Sequence, residues 1–269
     1  TTLTMANGSV SPTSVITMSG NGFALPTPTA KTGYTTKGAW YTSNSYSTSK
    51  GNYGATYTPT TSTTLYSTST ANSYTIGYTL NGGTKGTNGP TSGTYDSDVQ
   101  ISNPSKKVTV TGNVNGTGAT VGSATSANQT FAGWTSTTMG SNAKTGTAAS
   151  PSTAWTGAST KNTYFRNLRE SGTVTMVANW TAVAVTLPTL SKTGYTCKWY
   201  TAASGGSEMG AGGASWTPST TSAAAVTAYA RCTANSYTIG YTLNGGTSGT
   251  NKPTSGTYGS DVSISNPTK

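Results

Sequence analysis

The stretch ANSYTIGYTLNGGTKGTNGPTSGTYDSDVQISNPSK, residues 71–106, returns 163 residues later as ANSYTIGYTLNGGTSGTNKPTSGTYGSDVSISNPTK, residues 234–269. The two copies are identical at 31 of 36 positions, and all five differences fall on polar residues or glycine. A match of this length at a fixed spacing indicates a tandem super-repeat. Repeat proteins of this kind stack similar small units on one another, so the number of repeats sets the length of the molecule.

The residues of this stretch follow a strand pattern. Four apolar side chains alternate with small or polar ones at its start: Tyr74, Ile76, Tyr78 and Leu80. A period of two is the signature of a half-buried β-strand. The sequence NGG at residues 81–83 tolerates positive φ and predicts a tight turn. A second strand is predicted at residues 99–101, with the variable Gln100 facing solvent.

A second similarity defines the predicted domain organisation. The sequence LPTPTAKTGYTTKGAWYT at residues 25–42 parallels LPTLSKTGYTCKWYT at residues 187–201. The chain therefore holds parts of successive super-repeats. We predict four segments, which are the end of one super-repeat (1–70), an enlarged repeat unit with insertions (71–181), a short unit (182–233) and the truncated start of the next super-repeat (234–269).

Two elements are predicted inside the enlarged unit. Val108 and Val110 alternate with threonine, which indicates one inserted strand. Tyr164, Phe165 and Leu168 have near-helical spacing before a glycine, and this spacing predicts a two-turn helix over residues 162–170.

The composition excludes several classes of protein. The chain has 61 Thr and 36 Ser among 269 residues, but its 16 Tyr, 6 Trp and 7% charged residues argue against disorder. It has no His and only five carboxylates, so we expect no enzyme, no metal site and no cofactor. The 15 basic residues form no dense stripe, so we expect no nucleic-acid partner. No apolar run is long enough for insertion into a membrane.

The two cysteines, Cys197 and Cys232, lie in one segment, and both are absent together from the earlier copy, where Thr36 and Ser69 stand. Their joint presence or absence suggests contact between them. We predict a disulfide, which implies an oxidising, extracellular setting. The alternative is two buried free thiols that act as small apolar residues.

Two pairs of adjacent aromatic residues are candidate ligand contacts: Trp40 with Tyr41, and Trp199 with Tyr200. Neighbouring side chains of a strand point to opposite faces, so one member of each pair should be exposed to stack on a sugar. The alternative is that aromatic residues supply the core of a chain so poor in Leu, Ile and Val. Trp134, Trp180, Tyr74 and Tyr78 are expected in that core.

At these motifs the chain resembles the Listeria-Bacteroides repeat, also called the internalin B-type repeat. The resemblance covers YTIGYTLNGGT (74–84), NPSK (103–106), FAGW (131–134), VTMVANW (174–180) and the two KTGY elements at residues 31–34 and 192–195. It implies small β-grasp-like modules strung in tandem on bacterial surface proteins. It also sets Cys197 and Cys232 at the positions of the family's core Phe and of the Trp after the last strand, which supports their proximity.

From these observations we predict a mainly β fold with little helix, in which tandem β-grasp-like modules form an elongated rod. The expected function is a non-catalytic, extracellular stalk or fibre region of a bacterial cell-surface protein, whose partners are neighbouring units of the same chain. One alternative is an adhesin module that binds glycan or a host surface protein through exposed aromatics. Another is a subunit of a self-assembling extracellular filament, whose partners are other copies of the chain.

Overall fold

All regular elements of the chain are β-strands, as the abundance of Thr, Val, Tyr and Trp favours. The computed structural model describes residues 1–269, with 44% of the residues in strands and none in helices. The predicted mainly β class is confirmed, and the sheets are curled half-barrels. No helix of the length and apolar character that a membrane crossing demands is present.

The 28 strands are as follows: β1 (Thr2–Ala6), β2 (Gly8–Ser9), β3 (Phe23–Ala24), β4 (Thr29–Ala30), β5 (Tyr34–Thr36), β6 (Ala39–Tyr41), β7 (Ser49–Asn52), β8 (Thr56–Tyr57), β9 (Thr64–Ala71), β10 (Ser73–Thr79), β11 (Ser92–Thr94), β12 (Asp98–Gln100), β13 (Lys107–Asn113), β14 (Thr120–Val121), β15 (Thr125–Asn128), β16 (Thr130–Thr135), β17 (Lys144–Gly146), β18 (Thr153–Ala154), β19 (Tyr164–Arg166), β20 (Gly172–Thr181), β21 (Val185–Thr186), β22 (Leu190–Ser191), β23 (Tyr195–Tyr200), β24 (Glu208–Ala211), β25 (Ser215–Trp216), β26 (Ala225–Ala234), β27 (Ser236–Thr238) and β28 (Ser255–Thr257).

The chain divides into two compact units whose sequences interleave. Unit 1 consists of Thr1–Leu80, Lys85–Pro104 and Ala132–Asn179. Unit 2 consists of Asn81–Thr84, Ser105–Phe131 and Trp180–Lys269. Both units therefore combine segments that are distant in the sequence. The four predicted segment boundaries stay predictions.

The first sheet of unit 1 has the order β1-β9-β6-β7, and β5 also pairs with β9. Its first and last strands, β1 and β9, run parallel, with Leu3 opposite Leu65. Both residues are buried, and they form a core cluster with Leu25 and Trp40. This core depends on contacts between residues more than 60 positions apart.

The second sheet of unit 1 has the order β11-β10-β20-β16. Here β10 and β20 run parallel, with Ile76 opposite Val174 and Tyr78 opposite Met176. The inward residues of β20 are all buried: Val174, Met176, Ala178 and Trp180. The alternation predicted for Tyr74, Ile76, Tyr78 and Leu80 is confirmed at Tyr74 and Ile76, which are both 2% exposed. Tyr78 and Leu80 are only half-buried.

The helix predicted over residues 162–170 is wrong. Tyr164–Arg166 forms β19, which lies between β12 and β17 in a third sheet of order β12-β19-β17-β18. Phe165 is fully buried and packs against Trp155, with ring centres 5.1 Å apart and the ring planes tilted by 57°. Asn167 follows with a φ of 54°, a left-handed conformation that interrupts any helix. Pairing on both edges of β19 overrides the helical spacing.

Unit 2 contains a sheet of order β15-β13-β26-β23-β24. The predicted strand at Val108 and Val110 is confirmed as part of β13, and it runs parallel to β26. Residues of β13 and β26 share a core with Val185, Leu187 and Trp199. The sequence suggested that β13 is an insertion. In the structure, β13 is the first strand of this sheet in chain order, and β26 is the last.

One packing device recurs in both units. The indole Nε1 of Trp40 donates a hydrogen bond to the Pro26 carbonyl at 2.9 Å, and that of Trp199 donates to the Pro188 carbonyl at 2.9 Å. Both indoles are completely buried. Each tryptophan therefore fills the core of its sheet and also satisfies a polar group of the Leu-Pro turn beside it.

We expect Trp199→Phe to destabilise the protein by about 2–3 kcal/mol, because it leaves the Pro188 carbonyl unpaired and opens a cavity. Urea unfolding followed by far-ultraviolet circular dichroism would measure the change. The neighbouring Tyr200→Phe, which removes only a hydroxyl near the surface, is the matched control and should cost less than about 0.5 kcal/mol. Equal effects of the two variants would contradict this role of Trp199.

Candidate functional site

The structure separates the four aromatic candidates by burial. Trp40 and Trp199 are completely buried beneath their sheets. They therefore have no surface to offer a ligand, and they are withdrawn from the candidate contacts. Tyr41 and Tyr200 point to the opposite face and are half-buried. The alternation of side chains along a strand produces this division.

Tyr200 is covered on one face by a cation. The guanidinium of Arg231 lies 4.1 Å from the centre of the Tyr200 ring. Arg231 is itself fixed by hydrogen bonds to the Ala202 and Gly205 carbonyls. Beside the ring, the Lys198 ammonium pairs with Glu208 at 2.8 Å. This aromatic is therefore part of a charged cluster on the sheet surface.

Tyr41 has a different setting in unit 1. Its ring packs edge-on against Tyr46 at 5.8 Å, and the Lys37 ammonium lies 5.3 Å from the Tyr46 ring. Thr68 stands at the position that aligns with Arg231, so no guanidinium covers Tyr41. A pair of half-buried rings with a nearby cation is chemically suited to stacking on an apolar face of a ligand.

The structure pairs Cys197 with Cys232 in a disulfide across β23 and β26. The bond closes a loop with a sequence separation of 35 residues. In unit 1, Thr36 and Ser69 occupy the same register between β5 and β9. The two units thus hold the same pair of positions, covalently linked in one and not in the other.

A polar cluster in unit 1 centres on Asp96. Its carboxylate accepts hydrogen bonds from the Lys31 ammonium at 2.7 Å, the Tyr34 hydroxyl at 2.9 Å and the Asn167 amide at 3.0 Å. The hydrogen bond from Lys31 is the largest cause that lowers the pKa of Asp96 to about 2. The aligned residue is Gly259, so unit 2 lacks this carboxylate. The cluster joins the KTGY turn to the turn after β11.

Lys106 in unit 2 is a buried cation, with 4% of its surface exposed. Its ammonium donates to the carbonyls of Asn81 at 2.7 Å and Thr220 at 2.9 Å. It also lies 5.8 Å from the centre of the Trp180 ring. Burial lowers the pKa of Lys106. Its contacts bind backbone segments together, which is a structural role.

The ion pairs, hydrogen bonds and aromatic contacts described above can stabilise the fold, and the half-buried aromatic rings can also bind a ligand. No cluster of three or more His, Cys, Asp or Glu side chains that could hold a metal ion occurs. The charged and aromatic groups at Tyr41, Tyr200, Asp96 and Lys106 are engaged mainly with other residues of their own unit. No protein-family model, curated protein or solved structure matches the chain.

The sequence did not reveal the groups that contact Tyr41, Tyr200 and Asp96. The signal was present in the comparison of the two copies, because Asp96 and Arg231 stand where the other copy has Gly259 and Thr68. A charged residue confined to one copy of a repeat indicates a contact specific to that copy. The geometry was needed to identify the contacting groups.

We expect the double variant Thr36→Cys/Ser69→Cys to form a second disulfide, because these residues face each other as Cys197 and Cys232 do. Intact mass and thiol titration would detect the bond, and stability should rise by up to ~3 kcal/mol. Thr36→Cys/Thr70→Cys, shifted by one register position, is the control and should retain two free thiols. A double variant that stays reduced under oxidising conditions would disprove the equivalence.

We expect Asp96→Asn to cost about 1 kcal/mol at neutral pH, a modest value because the Lys31 side chain is half exposed. The folded-state pKa of Asp96 is depressed from 3.8 to about 2, so its contribution is complete above pH 4 and is lost as the pH falls through 2. Unfolding at pH 7, 4 and 2 should show the difference from wild type shrink with acid. Asp261→Asn, at an exposed position, is the control, and a difference independent of pH would contradict the assignment.

Proposed function

We propose that this chain is a non-catalytic repeat region of a bacterial cell-surface protein, and that it serves as an extracellular stalk or fibre. The observation that carries this proposal is the reuse of one sheet plan. In three sheets the first and last strands are adjacent and parallel, as β1/β9, β10/β20 and β13/β26. Repeated modules of one plan support a function based on length and display.

The finer fold that we propose is a tandem series of β-grasp-like modules forming an elongated rod. The sheet orders β11-β10-β20-β16 and β15-β13-β26-β23-β24 support it, because each puts the first strand between its hairpin partner and the last strand. The neighbouring units are then the main partners of each module. The resemblance to the Listeria-Bacteroides repeat supports the same assignment.

Further features of the chain support the extracellular setting and the non-catalytic character of the proposed stalk. The disulfide between Cys197 and Cys232 is of a kind that persists in oxidising compartments. The chain has no His and few carboxylates, which leaves little means for acid–base chemistry. Its high content of Thr and Ser provides outward-facing strand residues that are small and uncharged.

We expect the maximum dimension of the protein to increase in proportion to its length if it is a stalk. Small-angle X-ray scattering should compare the chain with a version that carries one more 163-residue super-repeat between residues 106 and 107. A rod should lengthen by about the added fraction of residues, since each repeat contacts mainly its neighbours. Growth of the radius of gyration as about N to the power 0.38, typical of one compact body, would overturn the proposal.

A second candidate is an adhesin module that binds glycan, favoured by the Tyr41–Tyr46 pair with Lys37 beside it. On this hypothesis Tyr41→Ala should abolish binding on a glycan array, whereas Tyr200→Ala should leave it unchanged because Arg231 already covers that ring. Absence of binding by the wild-type chain, or equal losses in both variants, would exclude this candidate. Circular dichroism would check that both variants fold.

A further inference from the structure

Residues 236–269 form half of a sheet whose complete form is seen in unit 1. The β27/β28 hairpin pairs Ser236 with Thr257 and Thr238 with Ser255, the register of Ser73–Thr94 and Thr75–Ser92 in β10/β11. The isolated bridge Thr247–Thr268 likewise repeats Thr84–Ser105. The second copy therefore keeps the hairpin register of the first, although β27 has three residues where β10 has seven.

Side-chain contacts of the hairpin are also preserved. The Tyr241 hydroxyl donates to the Pro253 carbonyl at 2.7 Å, as the Tyr78 hydroxyl does to Pro90. A lysine ammonium lies near each of these rings, Lys252 at 5.2 Å in one copy and Lys85 at 5.3 Å in the other. Two of the five sequence differences compensate each other here. Lys85 is replaced by Ser248, while Gly89 is replaced by Lys252, so each copy keeps one lysine near the tyrosine ring.

What differs is the covering of the hairpin. In unit 1, β11 pairs with one edge of β10 and β20 pairs with the other. In unit 2, β27 pairs with β28 alone. The same side chains consequently differ in exposure, from 2% to 44% for Tyr74 and Tyr237, from 4% to 45% for Tyr95 and Tyr258, and from 0% to 50% for Ile101 and Ile264.

This uncovered side contains a groove of about 170 Å³, lined by residues that include Tyr241, Leu243 and Ile264. In the first copy the corresponding Tyr78 packs against Trp134 of β16, with ring centres 5.8 Å apart. The groove therefore lies where β16 and β20 cover the hairpin in unit 1. Exposed apolar side chains around a preformed strand edge are typical of a strand-binding surface.

We propose that residues 236–269 are an acceptor for one strand of a further copy of this repeat, the strand that corresponds to Gly172–Thr181. The strand enters parallel to residues 237–242, and its Val174, Met176 and Ala178 face the groove. The inference rests on the proposed repeat architecture, and it names the partner through which such units join.

Two observations commit the site to this occupant. First, 29 of the 34 residues of the acceptor are identical to those at the aligned positions of unit 1, where the hairpin holds β20, including all the apolar ones. Second, the amide of Ile239 donates to Thr254 on the β28 side, so the amides of Thr238 and Gly240 point to the open edge. The bound strand must therefore offer apolar side chains to the groove and backbone carbonyls to the open edge. The uncharged strand Gly172–Thr181, with its small and apolar inward residues, offers both.

The test uses the full chain and a fluorescent synthetic peptide, GTVTMVANWT, that carries two terminal lysines for solubility. Fluorescence anisotropy should show saturable one-to-one binding. Ile239→Lys in the chain, or Met176→Asp in the peptide, should weaken binding at least tenfold. Each puts a charge between the hairpin and the bound strand, where Ile76 and Met176 are buried in unit 1. The matched chain variant Ser260→Lys, in the exposed turn after β28 and away from the open edge, should bind within about twofold of wild type.

Register supplies a second readout. A chain with Thr238→Cys should form a disulfide with a peptide carrying Thr173→Cys, and at least tenfold less with a peptide carrying Thr181→Cys. No saturable binding at millimolar peptide, binding insensitive to Ile239→Lys, or crosslinking without register preference would each overturn the acceptor site. Failure of the proposed stalk would appear separately in the scattering of the lengthened chain, which needs no peptide.

Discussion

Parallel pairing between the first and last strands of a sheet is the interaction on which the rest of this structure depends. It joins β10 to β20 across about 100 residues of chain and β13 to β26 across a similar distance. Parallel strands require a long crossover, and here each crossover is made of strands rather than a helix. The segments of the two units interleave, because β13 and β15 of unit 2 lie between β10 and β20 in the sequence. No unit can complete its core until its last strand has paired.

The cores built on this pairing use few aliphatic residues. One buried tryptophan in each of two sheets fills the interior and bonds a turn carbonyl, and the inward side of β20 adds Val, Met and Ala. Many Thr residues lie on exposed strand positions, where they favour extended backbone, but β9 also buries Ser67, Thr68 and Ser69. Polar ties then fix individual turns, as Asp96 does in unit 1 and the buried Lys106 does in unit 2. The disulfide adds a covalent tie in one unit only, at positions that Thr36 and Ser69 occupy in the other.

The sequence was sufficient for the strands that alternate strongly and for the repeat itself. Tyr74 to Tyr78 and Val108 to Val110 carry their burial pattern in their spacing. The strand at Phe165 was mistaken for a helix, because short segments with three apolar residues do not distinguish the two and its pairing partners lie far away in sequence. The interleaving could not be read either, since nothing local to Val108 reveals that its parallel partner is near Val226. For the candidate site, alternation predicted that one aromatic of each pair is buried, while the covering of Tyr200 by Arg231 required the fold.

The most direct test of this account is amide hydrogen exchange of two identical sequences within one molecule. The amides of Thr75 and Gly77 face β20, whereas those of Thr238 and Gly240 face an open edge. Assigned nuclear magnetic resonance spectra of the full chain would follow both pairs under the same conditions. We expect slower exchange at Thr75 and Gly77, by on the order of 100-fold or more, because their hydrogen bonds open only when the sheet opens. Equal exchange at the two sites would contradict the claim that the parallel last strand completes each sheet.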